Sequence, residues 1–139
     1  MEQRLTLITI GVENMDEMRS FYEGIFGWSP TKQSTDNITF FHLNGVLLGL
    51  FGREDLARDA TVDPKGKGFR SFALAHNLRS EQEVDLLFQQ FSEQGVNIVK
   101  APEKTDWGGY SGYIADPEGN LWEIAHNPFM EYDEMGNVL

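Results

Sequence analysis

The amino-acid sequence predicts an α+β protein built from two modules, each with the element order β-α-β-β-β. Three observations support this prediction. The second half of the chain repeats the element order of the first, each half has one run of apolar residues at helical spacing, and each half has one hairpin signal. Such mixtures of strands and helices are typical of α+β folds.

The first module is predicted from three local patterns. Residues 4–12 (RLTLITIGV) mix alternation with β-branched side chains and predict a strand. Asn14 can cap the helix that follows, and Gly27 is expected to end it. The apolar face of this helix is formed by Met18, Phe21, Tyr22, Ile25 and Phe26. Asn44-Gly45, between two apolar runs, predicts a two-residue hairpin.

The second module shows the same order of patterns. Residues 69–76 predict a strand, and Ser80 is expected to cap a helix that ends at Gly95. The apolar face of this helix is formed by Val84, Leu87, Phe88 and Phe91. A short strand is predicted near residues 96–100, and residues 117–119 (PEG) predict the turn of a closing hairpin.

The two modules are expected to form one domain over residues 1–139. Module one is placed at about 4–52 and module two at about 69–127. The stretch between them, about 53–68, is rich in charge and glycine and is interpreted as a connection. The C-terminal tail is placed at 128–139, and its acidic run from Glu131 to Glu134 is interpreted as solvated surface or a dimer contact.

Composition excludes several classes of partner. The chain has 22 acidic and 11 basic residues and a net charge of −11, which would repel a nucleic-acid backbone. No run approaches the roughly 20 apolar residues that cross a bilayer, so no membrane partner is expected. The chain has no cysteine and shows no secretory signal, so a cytoplasmic location is expected.

Two segments resemble signatures of one known family. NMDEMRSFYEGIFGW resembles the first-helix signature of the vicinal-oxygen-chelate superfamily, and DPEGNLWEIAHNP resembles its closing hairpin. This superfamily contains glyoxalases, bleomycin-resistance proteins and extradiol dioxygenases. The resemblance implies curved mixed sheets around a concave ligand cavity, helices on the convex side, and a homodimer. It also implies a divalent metal held by up to four ligands, one from the first and one from the last strand of each module.

The four implied ligand positions fall on Leu7, Gly49, Ser71 and Glu123. Leucine and glycine offer no ligand atom, and a serine hydroxyl is a poor ligand without stronger donors. A single carboxylate does not hold a catalytic divalent ion against water. The expected protein therefore has no metal site and no cofactor, although a divalent metal stays a disfavoured alternative.

Hairpin pairing selects further candidate residues. The first hairpin would pair Phe40 with Gly49, which places Phe40 and His42 on the same face of the sheet as Gly49. His42 would then lie either at the cavity rim or exposed at the end of the strand. Pairing Asp116 with Asn120 in the second hairpin would place Tyr113 opposite Glu123, and Ser111 beside Ala125. A phenol facing a carboxylate could serve as a general acid and base, or could be a buried remnant of a metal site. His76 and His126 are out of phase with Glu123 and are expected to face away.

The segment Trp107-Gly108-Gly109-Tyr110 precedes this strand. It is interpreted either as a mobile flap beside the cavity or as a glycine-rich turn with two surface aromatics. Similar segments border the ligand cavity of proteins that this sequence resembles. Trp107 and Tyr110 are therefore included among the expected ligand contacts.

Three functions follow as hypotheses. The leading one is a binding protein that holds a small organic molecule without a metal, with candidate contacts Phe40, His42, Ser71, Trp107, Tyr110, Tyr113 and Glu123. The second is a glyoxalase-type lyase or isomerase with an altered or metal-free site, in which Glu123 acts with Tyr113 or His42 as the catalytic residues. The third is a scaffold or assembly module without a small-molecule ligand.

Overall fold

The computed structural model describes residues 1, 3 and 5–139, and Arg4, the predicted first residue of the first strand, lies outside them. The elements are β1 (Leu7–Val12), α1 (Met15–Gly24), β2 (Ile38–His42), β3 (Leu47–Gly52), α2 (Arg53–Ala60), β4 (Ala73–Asn77), α3 (Glu81–Glu93), β5 (Asn97–Lys104), β6 (Tyr110–Ala115) and β7 (Leu121–His126). The chain divides into two compact units, Met1–Gly68 and Phe69–Leu139.

The first unit contains a three-stranded sheet in the order β1-β3-β2, with β1 parallel and β2 antiparallel to β3. Helix α1 covers one face of this sheet, since the Tyr22 ring lies 5.8 Å from the Phe41 ring. The Asn14 side chain accepts a hydrogen bond from the Glu17 backbone N–H, which caps α1 as predicted. The helix ends at Gly24, three residues before the predicted stop at Gly27.

The predicted turn at Asn44-Gly45 is confirmed. The Leu43 N–H donates to the Val46 carbonyl at 2.9 Å, and Gly45 has a φ of +75°, which favours glycine. The register that follows pairs His42 with Leu47 and Phe40 with Gly49. The short turn sets the pairing of the whole hairpin, so these partners could be counted from the sequence.

Two features of the first unit differ from the prediction. A predicted strand between α1 and the hairpin is reduced to a single bridge between Pro30 and Phe41. The stretch interpreted as a connection begins with helix α2. Leu56 of this helix packs against Gly11, on the sheet face opposite α1, where a Cβ on Gly11 would lie 3.3 Å from its Cδ2 atom.

The second unit contains a four-stranded sheet in the order β4-β7-β6-β5, with β4 parallel to β7 and the other pairs antiparallel. Ser80 caps α3 as predicted, accepting from the Glu83 N–H at 3.2 Å. Helix α3 packs so closely that a Cβ on Gly112 would lie 2.6 Å from the Phe88 ring. Strand β5 is longer than the predicted segment 96–100 and has irregular register on both sides of Lys100.

The expectation that Ser71 lies in the first strand of module two is wrong. Strand β4 begins at Ala73, and Ser71 precedes it with a φ of +62°. This left-handed backbone interrupts the alternation of side chains on which the predicted register depended. The alternation of side chains along β4 therefore does not place Ser71 on the face that carries Glu123.

The acidic tail also contains more structure than predicted. Residues 133–137 (DEMGN) repeat the pattern of residues 116–120 (DPEGN). In both turns the Asp Oδ2 accepts from the Asn Nδ2 at 2.7 Å and the Asp Oδ1 accepts from the Asn backbone N–H at 2.8 Å. The second turn brings Tyr132 and Val138 into a β-bridge.

The predicted α+β class with two mixed sheets is confirmed. The second unit has the complete β-α-β-β-β order, and the first has it with one strand reduced to a bridge. Among the residues that the structure describes, no helix is both long and apolar enough to cross a membrane.

Candidate functional site

The candidate site lies on the face of the four-stranded sheet opposite α3, which we call the Tyr113 face. Gly112 faces α3, so its neighbours along β6 face the other way. Through the strand pairing, this face carries Ala73, Ala75, Asn77, Ser111, Tyr113, Ala115, Leu121, Glu123 and Ala125. Most of the side chains around the phenol and the carboxylate are therefore small.

Tyr113 and Glu123 are direct cross-strand partners, as the hairpin register predicted. Both side chains are partly buried, and Ser111 is likewise opposite Ala125. Burial raises the pKa of Tyr113 above its usual value, and the charge of Glu123 and a hydrogen bond to it raise the pKa further. The Tyr113 hydroxyl therefore stays protonated at neutral pH and can donate a hydrogen bond.

Lys100 extends this pair to a row of three polar side chains. It pairs with Tyr113 across β5 and β6, and its positive charge lowers the pKa of Tyr113, opposing Glu123. The Lys100 Nζ atom also lies 2.7 Å from Oε1 of Glu103. Lys100 was missed from the sequence, because the irregular register of β5 cannot be counted from a turn. Because Tyr113 donates its one hydroxyl hydrogen to Glu123, the row offers a further molecule acceptor oxygens at Glu123 and donor hydrogens at Lys100.

Tyr110 lies on the opposite face from Tyr113. Its hydroxyl donates to Asp85 Oδ1 on α3 at 2.7 Å, and this hydrogen bond is the main cause of the raised pKa of Tyr110. A ligand contact by Tyr110 stays a prediction, but the side chain is already held by α3. His76 and His126 also lie out of phase with Glu123, as expected.

The segment before β6 is a hydrogen-bonded turn. The Thr105 hydroxyl accepts from the Gly109 N–H at 3.0 Å, and the Thr105 backbone N–H donates to the Gly109 carbonyl at 3.0 Å. These hydrogen bonds agree with the interpretation as a turn, and a mobile flap stays a prediction. The Trp107 side chain at its tip is 48% exposed and available for contact.

Phe40 and His42 lie on the first unit, on the sheet face opposite α1 and in phase with Gly49. The Phe40 ring packs over Gly49, since a Cβ on Gly49 would lie 3.3 Å from the Phe40 Cε1 atom and 3.4 Å from the Leu7 Cδ1 atom. His42 is exposed at the end of β2. Ligand contacts by these two residues stay predictions.

The four positions at which the superfamily holds its metal do not fit a divalent ion. In the first unit, the space in front of Gly49 is filled by the carbon atoms of Phe40 and Leu7. In the second unit, Ser71 lies before β4 with a left-handed backbone, and Glu123 is the one position with a ligand-type side chain. Across residues 1, 3 and 5–139, no three His, Asp or Glu side chains cluster as a metal site would require.

Comparison with known proteins gives a consistent result. Residues 4–124 match the family description Glyoxalase/Bleomycin resistance protein/Dioxygenase superfamily. The chain is 32% identical to the YqjC protein of Bacillus subtilis (strain 168), with 84% of this chain and 94% of that protein covered. It is 25% identical to the metallothiol transferase FosB of Shouchella clausii (strain KSM-K16), with 84% of this chain and 75% of that protein covered.

Solved structures show the same fold. A glyoxalase-related enzyme from Fulvimarina pelagi superposes with a TM-score of 0.89 at 33% identity, covering 99% of this chain and 98% of that one. A lactoylglutathione lyase from Agrobacterium tumefaciens superposes with a TM-score of 0.74 at 21% identity, covering 95% and 99%. With its two mixed sheets, its paired hairpins and a family match over most of its length, the chain belongs to the glyoxalase, bleomycin-resistance protein and dioxygenase superfamily.

Proposed function

We propose that this protein binds a small organic molecule on the Tyr113 face without a divalent metal. The observation that carries the proposal is the hydrogen-bonded Tyr113–Glu123 pair, which sets a phenol and a carboxylate side by side among mostly small side chains. Sites for small molecules combine apolar surface with a few placed polar groups in this way. The apolar packing at Gly49 and the lack of a ligand atom at Leu7 support binding without a metal.

The ligand class follows from the charges of the site. Glu123 would accept a hydrogen bond from a donor or cationic group, and the net charge of −11 favours approach of a cation. The Tyr113 hydroxyl, which donates its one hydrogen to Glu123, would orient that carboxylate, and its oxygen would accept from a second donor of the ligand. Membership of a superfamily does not identify the ligand, since one fold serves many functions. A cytoplasmic location and a homodimer remain parts of this proposal that need their own measurements.

The first experiment identifies the molecule that the protein retains. Protein purified without chelators is analysed by native mass spectrometry, and the released small molecule is identified after denaturation. We expect a bound organic molecule whose affinity falls at least tenfold in Glu123→Gln, a loss typical of a charge-assisted hydrogen bond. Unchanged affinity in Glu123→Gln would remove this residue from the site. Glu118→Gln, in the adjoining turn, controls for loss of one negative charge.

A second experiment tests binding without metal. The chelator-free protein is titrated with nickel, zinc, manganese and iron(II), and bound metal is counted after dialysis. We expect no stoichiometric metal, and ligand affinity that is the same with and without a chelator. Tight binding of one metal ion per chain would contradict the proposal.

The alternative function is a lyase or isomerase that uses Glu123. The observation that favours it is the row Lys100–Tyr113–Glu123, which places a proton acceptor next to two donors. Glu123 would remove a proton from the bound molecule as general base, and Tyr113 would stabilise the developing oxyanion. Turnover of the identified molecule that falls more than a hundredfold in Glu123→Gln, with little change in its binding, would establish this alternative.

A further inference from the structure

An open cavity of about 600 Å³ lies at the start of α2, within the first unit. This volume is in the range of sites that hold small organic molecules. No residue of the Tyr113 face lines it, so it is a candidate for a second site. Its walls are the end of β1, the start of α2 and the loop after α2, through Val12, Glu13, Gly52, Arg53, Glu54 and residues 64–67.

Arg53 fixes the loop that forms one wall of this cavity. Its Nε atom donates to the Pro64 carbonyl at 2.8 Å, and its Nη2 atom donates to the Gly66 carbonyl at 2.6 Å. Its Nη1 atom donates to Glu13 Oε1 at 3.3 Å, which balances the guanidinium charge. Because a guanidinium holds its acceptors in a rigid fork, these bonds give the loop a defined conformation beside the cavity.

Lys65 and Lys67 supply free positive charge on this wall. They flank Gly66, whose carbonyl Arg53 holds, and both line the cavity. Among residues 1, 3 and 5–139, neither ammonium group has a hydrogen-bond or ion-pair partner. The preceding acid of the loop, Asp63, accepts from the Lys65 backbone N–H at 3.0 Å. The two ammonium groups are therefore available to an anion.

The charge of the cavity is opposite in sign to that of the chain. Its lining carries three cationic and two anionic side chains, whereas the chain has a net charge of −11. An acidic protein repels anions, so an anion is favoured at a place where the local charge is positive. Glu13 is paired with Arg53, and Glu54 is the other lining carboxylate. A carboxylate accepts hydrogen bonds, so Glu54 suits a neutral donor such as a hydroxyl group.

We propose that this cavity binds a small organic phosphate. The phosphate would lie on Lys65 and Lys67, and a hydroxyl group of the organic part would donate to Glu54. A phosphate monoester carries nearly two negative charges at pH 7, which matches two ammonium groups. Inorganic phosphate alone would leave most of the cavity unfilled, so the organic part should add to the affinity. This site belongs to the first unit and does not depend on the function proposed for the Tyr113 face.

The ligand class is tested with glucose 6-phosphate, titrated into isotope-labelled protein and followed by amide chemical shifts. Glucose and inorganic phosphate are the comparisons. We expect glucose 6-phosphate to shift the amide signals of Lys65, Gly66 and Lys67. It should bind about threefold more tightly than inorganic phosphate, the size of one further hydrogen bond, and about tenfold more tightly than glucose, which lacks both charge contacts. Equal affinity for the ester and either comparison, or no shift of these signals, would overturn the proposal.

The two lysines are tested by removing their charges. Lys65→Met and Lys67→Met should each weaken the binding of glucose 6-phosphate about threefold, the size of one exposed charge contact. Lys32→Met is the matched control, because Lys32 is another exposed lysine of the first unit and does not line the cavity. An equal loss in Lys32→Met would show that only the net charge matters, and unchanged affinity in both cavity variants would remove the phosphate from this wall. Either result would overturn the site.

Two further variants test the role of Glu54 and the place of the probe. Glu54→Ala should bring the dissociation constants of glucose 6-phosphate and inorganic phosphate together, because it removes the acceptor for the hydroxyl group and a charge that repels the phosphate. Glu123→Gln should leave the binding of glucose 6-phosphate unchanged. A preference for the ester that persists in Glu54→Ala, or a loss of binding in Glu123→Gln, would contradict the assignment of the ligand to this cavity.

Discussion

Tyr113 reports the electrostatics of the candidate site more directly than any other residue. Its pKa is raised first by burial and then by the charge and hydrogen bond of Glu123, and it is lowered by Lys100. These opposing causes come from the two strands on either side of β6. Each neighbour can be changed separately, which makes the geometry of the row testable by titration.

We predict that Glu123→Gln lowers the pKa of Tyr113 and that Lys100→Met raises it. Removing the negative neighbour makes the tyrosinate easier to form, and removing the positive neighbour makes it harder. The measurement is the ultraviolet absorbance of tyrosinate against pH, with Tyr113→Phe identifying the contribution of this residue. Shifts in the opposite directions would mean that the three side chains do not share one face.

The raised pKa of Tyr113 also has a consequence for stability. The folded protein holds the Tyr113 proton more tightly than the unfolded chain does. The contribution of Tyr113 to the free energy of unfolding is therefore fully present below pH 10 and is lost as the pH rises through the raised pKa. Tyr113→Phe should reduce the slope of this alkaline loss, measured as the free energy of unfolding in urea between pH 9 and 11. An unchanged slope would assign the loss to Tyr110 and Tyr132, whose pKa values are also raised.

At the scale of elements, the contact between α3 and its sheet depends on Gly112. A Cβ there would lie 2.6 Å from the Phe88 Cζ atom, 2.7 Å from the Lys100 carbonyl oxygen and 2.8 Å from the Pro102 nitrogen. Two of these neighbours are backbone atoms and cannot turn aside as a side chain can. Strand β6 therefore needs a residue without a side chain at the point where it meets α3 and the irregular part of β5.

We predict that Gly112→Ala lowers the free energy of unfolding by about 2–3 kcal/mol, the cost of overpacking a tight core. Gly24→Ala should have little effect or stabilise slightly, since alanine is the better helix former. Urea unfolding followed by circular dichroism measures both. Equal effects of the two changes would show that β6 and α3 are less closely packed than described.

The two D-x-x-G-N turns offer a second comparison between elements. Asp116 is 2% exposed and its carboxylate accepts from Glu118 N, Asn120 N and Asn120 Nδ2, whereas Asp133 makes the equivalent bonds near the surface. Asp116→Ala should lower the free energy of unfolding by about 2–4 kcal/mol, because it leaves buried donors unpaired. Asp133→Ala should have a smaller effect, and the melting temperatures of the two variants measure the difference. A larger loss from Asp133→Ala would indicate that the tail turn is the more important one for folding.

Which elements could be predicted depended on whether their signal was local. The register of both hairpins followed from Asn44-Gly45 and from Asp116 and Asn120, and it placed Tyr113 opposite Glu123 correctly. Helix α2 was missed because its eight residues bury one side chain, Ala57, and show no repeated apolar spacing. Ser71 was misplaced because nothing in a serine signals a left-handed backbone.

The remaining parts of the site depend on contacts that a sequence pattern does not contain. Lys100 joins the row only through an irregular β5, and the place of Trp107 over Gly109 is a matter of side-chain conformation. The repeated turn at 133–137 is different. Its pattern, DEMGN, is visible beside DPEGN in the sequence and could have been found by searching for repeats.

For the whole molecule, the dominant electrostatic property is the excess of 22 acidic over 11 basic residues. Repulsion among these charges opposes the compact state, whereas the ion pairs of the described chain, such as Arg58 with Asp55, are largely exposed. Salt screens both, with a Debye length of about 10 Å at 0.1 M. With twice as many acidic as basic groups, screening of repulsion should outweigh screening of attraction.

We therefore predict that sodium chloride raises the melting temperature at pH 7, by a few degrees between about 0.01 and 0.5 M, over which the Debye length falls several-fold. The control is the same series at pH 4.5, near the pI, where the net charge and the repulsion are small. There the salt should leave the melting temperature unchanged or lower it, because mainly attractive pairs remain to be screened. A rise of equal size at both pH values would point to a general effect of salt on apolar burial and would contradict the role assigned to the acidic charge.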